Sequence, residues 1–287
     1  MLLVAAILTN ALIGVIFKLF GKWKVDNLTA IVVNYFVCVL TGSVVYGKWV
    51  IPADLTSYKW FPYSVALGFA FIVVFNVVAL TVQNFGIVVA MIFQRMSLLT
   101  PVALGILYFH ESVTAAKIIA IILAILAIIL LSYVPQKESQ HHSAWLWSLP
   151  LLCWLGSSFI DGSLFWVEAK KIAPNGDIQF TSTLFLMAGL AGLLLLIIRN
   201  IRLKISPDKK SLLAGVLLGI PNFFSIYFIL LLLAQGYEGS VVFPILNVGI
   251  LSTAAIFGFL IFKEKISTYK KIGFALALFS IILLFNN

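Results

Sequence analysis

Two ionisable residues in this 287-residue sequence lie deep within apolar runs, where an unpaired charge is expensive and a functional role is the first reading. Arg95 falls about nine residues into its run, on the order of 13 Å from the start at 1.5 Å per residue. That is near the middle of a hydrocarbon core ~30 Å thick. A guanidinium held there has the fixed fork of donors that suits a carboxylate or a phosphate. Asp161 lies in the deeper half of a second run and has the chemistry to bind an amine or to exchange a proton. Two readings stand side by side. In one the residues neutralise each other between helices, or Arg95 snorkels to the boundary; in the other they hold substrate. A pair opened by substrate satisfies both.

Polar residues spaced for one helical face accompany them. Asn10, Gly14 and Lys18 fall at i, i+4 and i+8, and Trp154, Ser158 and Asp161 at i, i+4 and i+7. A polar stripe within lipid has to face protein or water. Gln94 and Asn247 are intramembrane amides, and Asn76 and Asn222 are further single amides, Asn222 following Pro221. For single amides an interhelical hydrogen bond is the competing reading. The candidate substrate-binding set is therefore Asn10, Gln94, Arg95, Trp154, Ser158, Asp161, Asn222 and Asn247, with Asp161 also the candidate for proton coupling. Trp154, Phe165 and Trp166 have faces that could stack on an aromatic substrate, although aromatic residues in spans more often pack or anchor. No HExxH, Ser–His pair or carboxylate cluster lies inside a run, and the three histidines, His110, His141 and His142, fall at a run end or in a loop. Cys38 and Cys153 sit in apolar runs without metal-ligand spacing. Neither an enzyme nor a metal or other cofactor site is expected.

The composition dictates what positions these groups. With 62% hydrophobic residues, 10% charged residues and a mean hydropathy of +1.13, the chain has far more apolar surface than an aqueous core can hold. At about 20 residues per bilayer crossing, it divides into ten spans: roughly 1–17, 27–47, 61–82, 87–109, 115–134, 145–167, 179–198, 212–235, 239–262 and 269–286. The first reads as a span and not as a signal peptide, since no basic region precedes it. Pro101, inside the fourth, predicts a kink. The formal charge of +9 is spread over run ends, so it marks membrane boundaries and no nucleic-acid partner is expected. No segment alternates as a membrane barrel strand must. The fold class is an all-α integral membrane protein of the cell membrane, in contact with lipid.

The chain also repeats itself. Shifted by 153 residues, positions 94–131 match 247–284 at 14 of 38 places, where about four are expected by chance. The match pairs Gly105 with Gly258, Glu111 with Glu264, Lys117 with Lys270 and Gln94 with Asn247. Gly105, Gly258, Pro101, Glu111 and Glu264 are accordingly assigned structural roles, the glutamates as boundary groups or as ion pairs with the neighbouring lysines. Residues 1–134 and 145–287 form two five-helix repeats joined by a linker at 135–144. Five is odd, so the second copy enters the membrane from the opposite face, and the ten transmembrane helices are two inverted five-helix repeats. Inversion of this kind supports alternating access to a site near the midplane. A passive channel is disfavoured because no span carries a polar stripe long enough for a continuous wet path.

These features resemble the drug/metabolite transporter superfamily, in its ten-helix EamA-type branch. The resemblance rests on the glutamate closing the fourth helix of each half, followed by Ser or Thr and the next span (FHESVTAAKIIAIILAILAIILL and FKEKISTYKKIGFALALFSIILL). It rests also on first helices ending in lysine (NALIGVIFK and GSLFWVEAK). It implies two EamA repeats and export of a small molecule such as an amino acid, another metabolite or a drug. Amino acids or related compounds are the leading substrate class, nucleosides, purines and organic anions the alternatives, and a proton is a candidate coupling ion. Of the 18 Lys and Arg other than Arg95, 13 flank loops 1–2, 5–6, 7–8 and 9–10. The positive-inside rule places those loops in the cytoplasm, whereas the resemblance implies cytoplasmic termini.

Overall fold

A computed structural model describes residues 1–85, 87–133, 144–173, 175–204, 206–263 and 267–285. Most of the expected linker, residues 135–143, lies outside them, as does Glu264. Among the described residues the chain is helical and carries no strand. Its helices are α1 (Leu2–Trp23), α2 (Asn27–Tyr46), α3 (Phe61–Phe85), α4 (Ile87–Arg95), α5 (Leu99–Leu107), α6 (Ala115–Ser132), α7 (Ser148–Ala169), α8 (Ile178–Leu203), α9 (Lys209–Ala234), α10 (Gly239–Phe262) and α11 (Thr268–Phe285). They make ten spans, because α4 and α5 are one crossing, Val89–Leu107, with a 3-10 turn at Met96–Leu98 in its middle. The expected boundaries fall close to these ends, since charged and turn residues stop apolar runs where helices leave lipid.

Helix starts are set by side chains that answer otherwise unpaired N–H groups. Asp26 accepts from Thr29 N–H at 3.2 Å, Asp177 from Gln179 N–H at 2.8 Å, Asp208 from Ser211 N–H at 2.6 Å, and Thr114 from Lys117 N–H at 3.1 Å. Several caps recur at positions related by the sequence repeat. Ser267 accepts from Lys270 N–H as Thr114 does from Lys117 N–H, and His110 and Lys263, just beyond their helices, both have a φ of 55°.

The chain forms two compact units that cut across the duplication. The first comprises Met1–Ile72 and Val167–Gly236, and the second Val73–Trp166 and Tyr237–Asn287. In the first, α2 packs on α8 and α9, and α1 on α9. Small residues permit this closeness, as they do wherever helices meet in lipid. A Cβ on Gly219 would stand 2.5 Å from Val37 Cβ, and one on Gly215 2.5 Å from the Ala30 carbonyl. Gly42 meets Ser182 while Gly192 meets Val32, so α2 and α8 run antiparallel. In the second unit α6 and α11 also run antiparallel. Gly273 lies against Leu131, and Ser280 Oγ donates to the Ala120 carbonyl at 2.7 Å. Both helix pairs are related by the sequence repeat, and their antiparallel packing is consistent with an inverted duplication.

Ion pairs fasten helix boundaries in both units. In the first, Arg199 donates to both oxygens of Asp26, at 2.7 and 2.5 Å. Its hydrogen bond holds the Asp26 carboxyl down at about 2, against an ordinary value of 3.8. In the second, Glu111 does not pair with Lys117. Its carboxylate accepts the N–H groups of Gly239 (2.7 Å) and Ser240 (2.9 Å) at the start of α10, where the helix dipole favours a negative charge. Gly105 makes room for that carboxylate, since a Cβ there would lie 2.4 Å from Glu111 Oε2. Lys117 is 1% exposed and pairs instead with Glu238, also donating to Ser112 O at 2.7 Å and Ser240 Oγ at 3.0 Å. Burial would raise the Glu238 carboxyl, but the bonds from Lys117 and Ser112 hold it below the usual range. Glu168, near the end of α7, is 6% exposed and accepts from Asn175 and Gly176 N–H. Its place at a helix end does not leave it solvated.

Two predictions follow from these fastenings. Asp26→Asn should cost about 1 kcal/mol in mild detergent at neutral pH, a partly exposed pair being worth no more. Because Asp26 titrates lower in the folded chain, its contribution is full above its ordinary value of 3.8 and is lost as pH falls toward about 2. The gap in melting temperature between variant and wild type should therefore close over that interval. Glu111→Ala should cost about 1–3 kcal/mol by orphaning two helix N–H groups, and Gly105→Ala should cost a similar amount by displacing the same carboxylate. Thermal unfolding of the double variant should fall well short of the sum of the two.

Candidate functional site

Pro101 shapes the fourth span locally. Its ring cannot donate and crowds the carbonyl four residues earlier, that of Ser97. Just upstream of it, where the sequence predicts a kink, the helix tightens into the 3-10 turn at Met96–Leu98. A mid-helix turn of this kind offers backbone and side-chain groups that a regular helix would conceal. The Trp154 indole N–H donates to the Met96 carbonyl at 3.2 Å, and Ser97 Oγ donates to Asp161 Oδ2 at 2.5 Å. Trp154 and Asp161, seven residues apart on α7, thus face the same turn. Gly162 beside them lets α7 come close, since a Cβ there would stand 2.8 Å from Thr100 Cγ2.

Arg95 ends α4 immediately before the turn and is half-buried. Its Nη1 donates to Asn247 Oδ1 at 3.3 Å, while Asn247 turns its own Nδ2 back onto the Phe243 carbonyl at 3.0 Å. Asn247 is therefore fixed as an acceptor toward Arg95. Arg95 and Asp161 lie in each other's electrostatic field, yet no ion pair joins them within 4 Å. Each is held by a neutral partner, Asn247 for the cation and Ser97 for the anion. A guanidinium has five N–H donors and a carboxylate about four acceptor positions. Among the described residues most of that capacity has no protein partner.

The remaining candidates divide. Ser158 is buried, and among the described residues its Oγ has no hydrogen-bond partner. Gln94 is half-buried and makes no hydrogen bond among the described residues, so the pairing of Gln94 with Asn247 in the repeat does not carry over to equivalent contacts. In the first unit, Asn10 Nδ2 donates to the Ala6 carbonyl at 2.9 Å and the Ser225 carbonyl at 3.4 Å. Asn222 donates to Asn34 Oδ1 at 3.1 Å and Cys38 Sγ at 3.7 Å. Both amides link helices. Phe165 and Trp166 pack with Phe109, at ring separations of 5.2 and 5.7 Å. Among the described residues no group of three or more His, Cys, Asp or Glu is placed to hold a metal ion. Ser97 and Asn34 were not singled out from the sequence. The one available signal for Ser97 is its place four residues before Pro101.

Residues 144–286 match the model of the EamA-like transporter family. An uncharacterized protein of Haemophilus influenzae is 29% identical over 290 residues, spanning 99% of this chain and 97% of its own length. A protein of known crystal structure has the same fold, with a TM-score of 0.77 at 13% identity over 98% of this chain and 94% of that one. With that family match and ten helices long and apolar enough to cross a membrane, the chain belongs to the EamA-like transporters of the drug/metabolite transporter superfamily and is a multi-pass integral membrane protein.

Proposed function

We propose that the chain is a secondary active transporter that works by alternating access and exports amino acids or closely related zwitterions. The observation that carries the reading is that Arg95 and Asp161, opposite charges in one unit, are each steadied by a neutral side chain and not by each other. A substrate bearing both a carboxylate and an ammonium group answers both. Its carboxylate bonds to the Arg95 fork, and its ammonium group bonds to Asp161. Trp154 and Ser158, on the same helix as Asp161, supply an apolar wall and a hydroxyl that has no partner among the described residues. An inverted repeat, which the duplicated sequence implies and the antiparallel helix pairs fit, would supply the two equivalent conformations that alternating access requires.

A thermal-shift screen of the purified protein against amino acids, nucleosides, sugars and small organic anions tests the substrate class, since a ligand that binds only the native state raises apparent stability. Stabilisation by zwitterionic amino acids is expected. For the best of them, Arg95→Gln should weaken binding at least tenfold, the loss of a charge-assisted bond being worth about 1.5–3 kcal/mol. The same substitution should leave unchanged the weaker binding of the amide analogue, which has no carboxylate. Stabilisation by nucleosides or organic anions alone would move the assignment to those classes. Saturable counterflow in proteoliposomes is expected of a carrier, and non-saturating flux without it would identify a channel.

Proton coupling through Asp161 rests on its depth and on its single hydrogen bond from Ser97. Asp161→Asn should abolish concentrative transport driven by a pH gradient while leaving substrate exchange measurable. Full concentrative transport by the variant would assign coupling to another group.

A further inference from the structure

Outside that site, the first unit carries a surface cleft of about 570 Å³ where α1 ends and α9 begins. Its rim holds three lysines, Lys22, Lys24 and Lys210, beside Trp23, and its floor is lined by Leu213 and Leu217. The frame is built. Lys24 adopts a left-handed conformation at φ 53°, and its N–H closes α1 on the Phe20 carbonyl. Two residues on, the Asp26 N–H donates to Ser211 Oγ at 2.8 Å, tying the α1–α2 turn to the first turn of α9. The backbones that carry Lys24 and Lys210 are therefore fixed relative to each other. The nearby acids are already engaged: Asp26 by Arg199 and Thr29, and Asp208 by Ser211 N–H and Oγ. Among the described residues neither carboxylate forms an ion pair with Lys24 or Lys210.

We propose that this cleft binds an anionic phospholipid, with the headgroup phosphate among the lysines and an acyl chain along α9. Three observations favour a lipid over a soluble anion. The cleft lies at a helix boundary, on the side of the membrane that carries 13 of the 18 basic residues other than Arg95. Its apolar floor continues beyond the cleft along one face of α9, where Leu213, Leu217 and Ile220 are 70%, 49% and 52% exposed. A free phosphate has no use for such a strip, whereas an acyl chain does. Trp23, about half exposed, is the amphipathic residue that settles at headgroup level. Basic pockets between membrane helices select anionic headgroups in this way.

The test uses the full chain in detergent and native mass spectrometry with phosphatidylglycerol, phosphatidylcholine or inorganic phosphate added. A lysine near an anionic surface multiplies binding by about fivefold, so three should give the wild type a preference of at least tenfold for phosphatidylglycerol over phosphatidylcholine. Lys22→Gln, Lys24→Gln and Lys210→Gln combined should reduce that preference to within about twofold. The same charge removed elsewhere, by Lys48→Gln, Lys59→Gln and Lys171→Gln, should leave it intact. If the triple cleft variant aggregates, Lys210→Gln alone should lower the preference several-fold. Undiminished preference in the cleft variants would overturn the proposal. So would equal loss in the control variant, which would mean that net charge alone attracts the lipid. Displacement of phosphatidylglycerol by inorganic phosphate at similar concentration would assign the cleft to a free anion.

Discussion

Lipid offers no hydrogen-bond partner, so every polar group inside a span must be answered by the protein itself or by what the protein carries. That constraint organises the chain. It drives backbone groups into helices and leaves large apolar side chains such as Leu213, Ile201 and Phe279 facing outward without penalty. It also makes close helix packing, not apolar burial, the means of association. Glycines at Gly42, Gly189 and Gly192 bring α2 and α8 together, and Gly215 and Gly219 bring α9 onto α2. At the helix ends it turns acidic residues into caps. Glu111 closes the first residues of α10, and Glu168 answers the turn that precedes α8. The price of an unanswered charge is high enough that Lys117, almost wholly buried, collects Glu238, Ser112 and Ser240 together.

The same constraint explains what could be read from the sequence. Span positions were legible because the membrane sorts residues by type. Scarce charge falls at helix ends, and the sorting does not depend on which helices become neighbours. Arg95 and Asp161 were legible for the same reason, as departures from it. The partners of these groups were not legible. Glu111 stands six residues from Lys117, close enough to suggest a pair, yet it reaches an N-terminus 128 residues away while Lys117 takes Glu238. Ser97 is an unremarkable residue in the sequence and becomes the Asp161 partner only through the turn that Pro101 imposes. Partner choice depends on tertiary proximity, which hydropathy and spacing along one chain do not encode.

The duplication and the compact units are two different divisions of the same molecule. Along the chain, the repeat pairs α6 with α11 and α2 with α8. In space, each of those pairs packs within a single unit, so each unit contains helices from both sides of the linker. Antiparallel packing of equivalent helices, seen in both pairs, is consistent with two copies in opposite orientation. Equivalent positions can share local geometry, as at His110 and Lys263, while differing in chemistry. Gln94 and Asn247 are equivalent in the repeat, yet among the described residues only Asn247 is engaged, by Arg95, whose own counterpart is Val248.

That asymmetry bears on why the charges in the second unit are not fused into a salt bridge. A direct Arg95–Asp161 bridge in a low-dielectric span would be worth so much that a substrate could open it only by supplying equal compensation, and its removal would leave both charges stranded. Neutral partners change the balance. Asn247 and Ser97 fix the directions of the guanidinium and the carboxylate with one hydrogen bond each, and among the described residues no direct ion pair forms between the two charges. A ligand with complementary charges can then add its bonds without first breaking an ion pair. Under the proposed function, the protein would prepare the orientation and leave the neutralisation to the ligand, the division of labour that a site must have if it is to release its cargo as well as bind it.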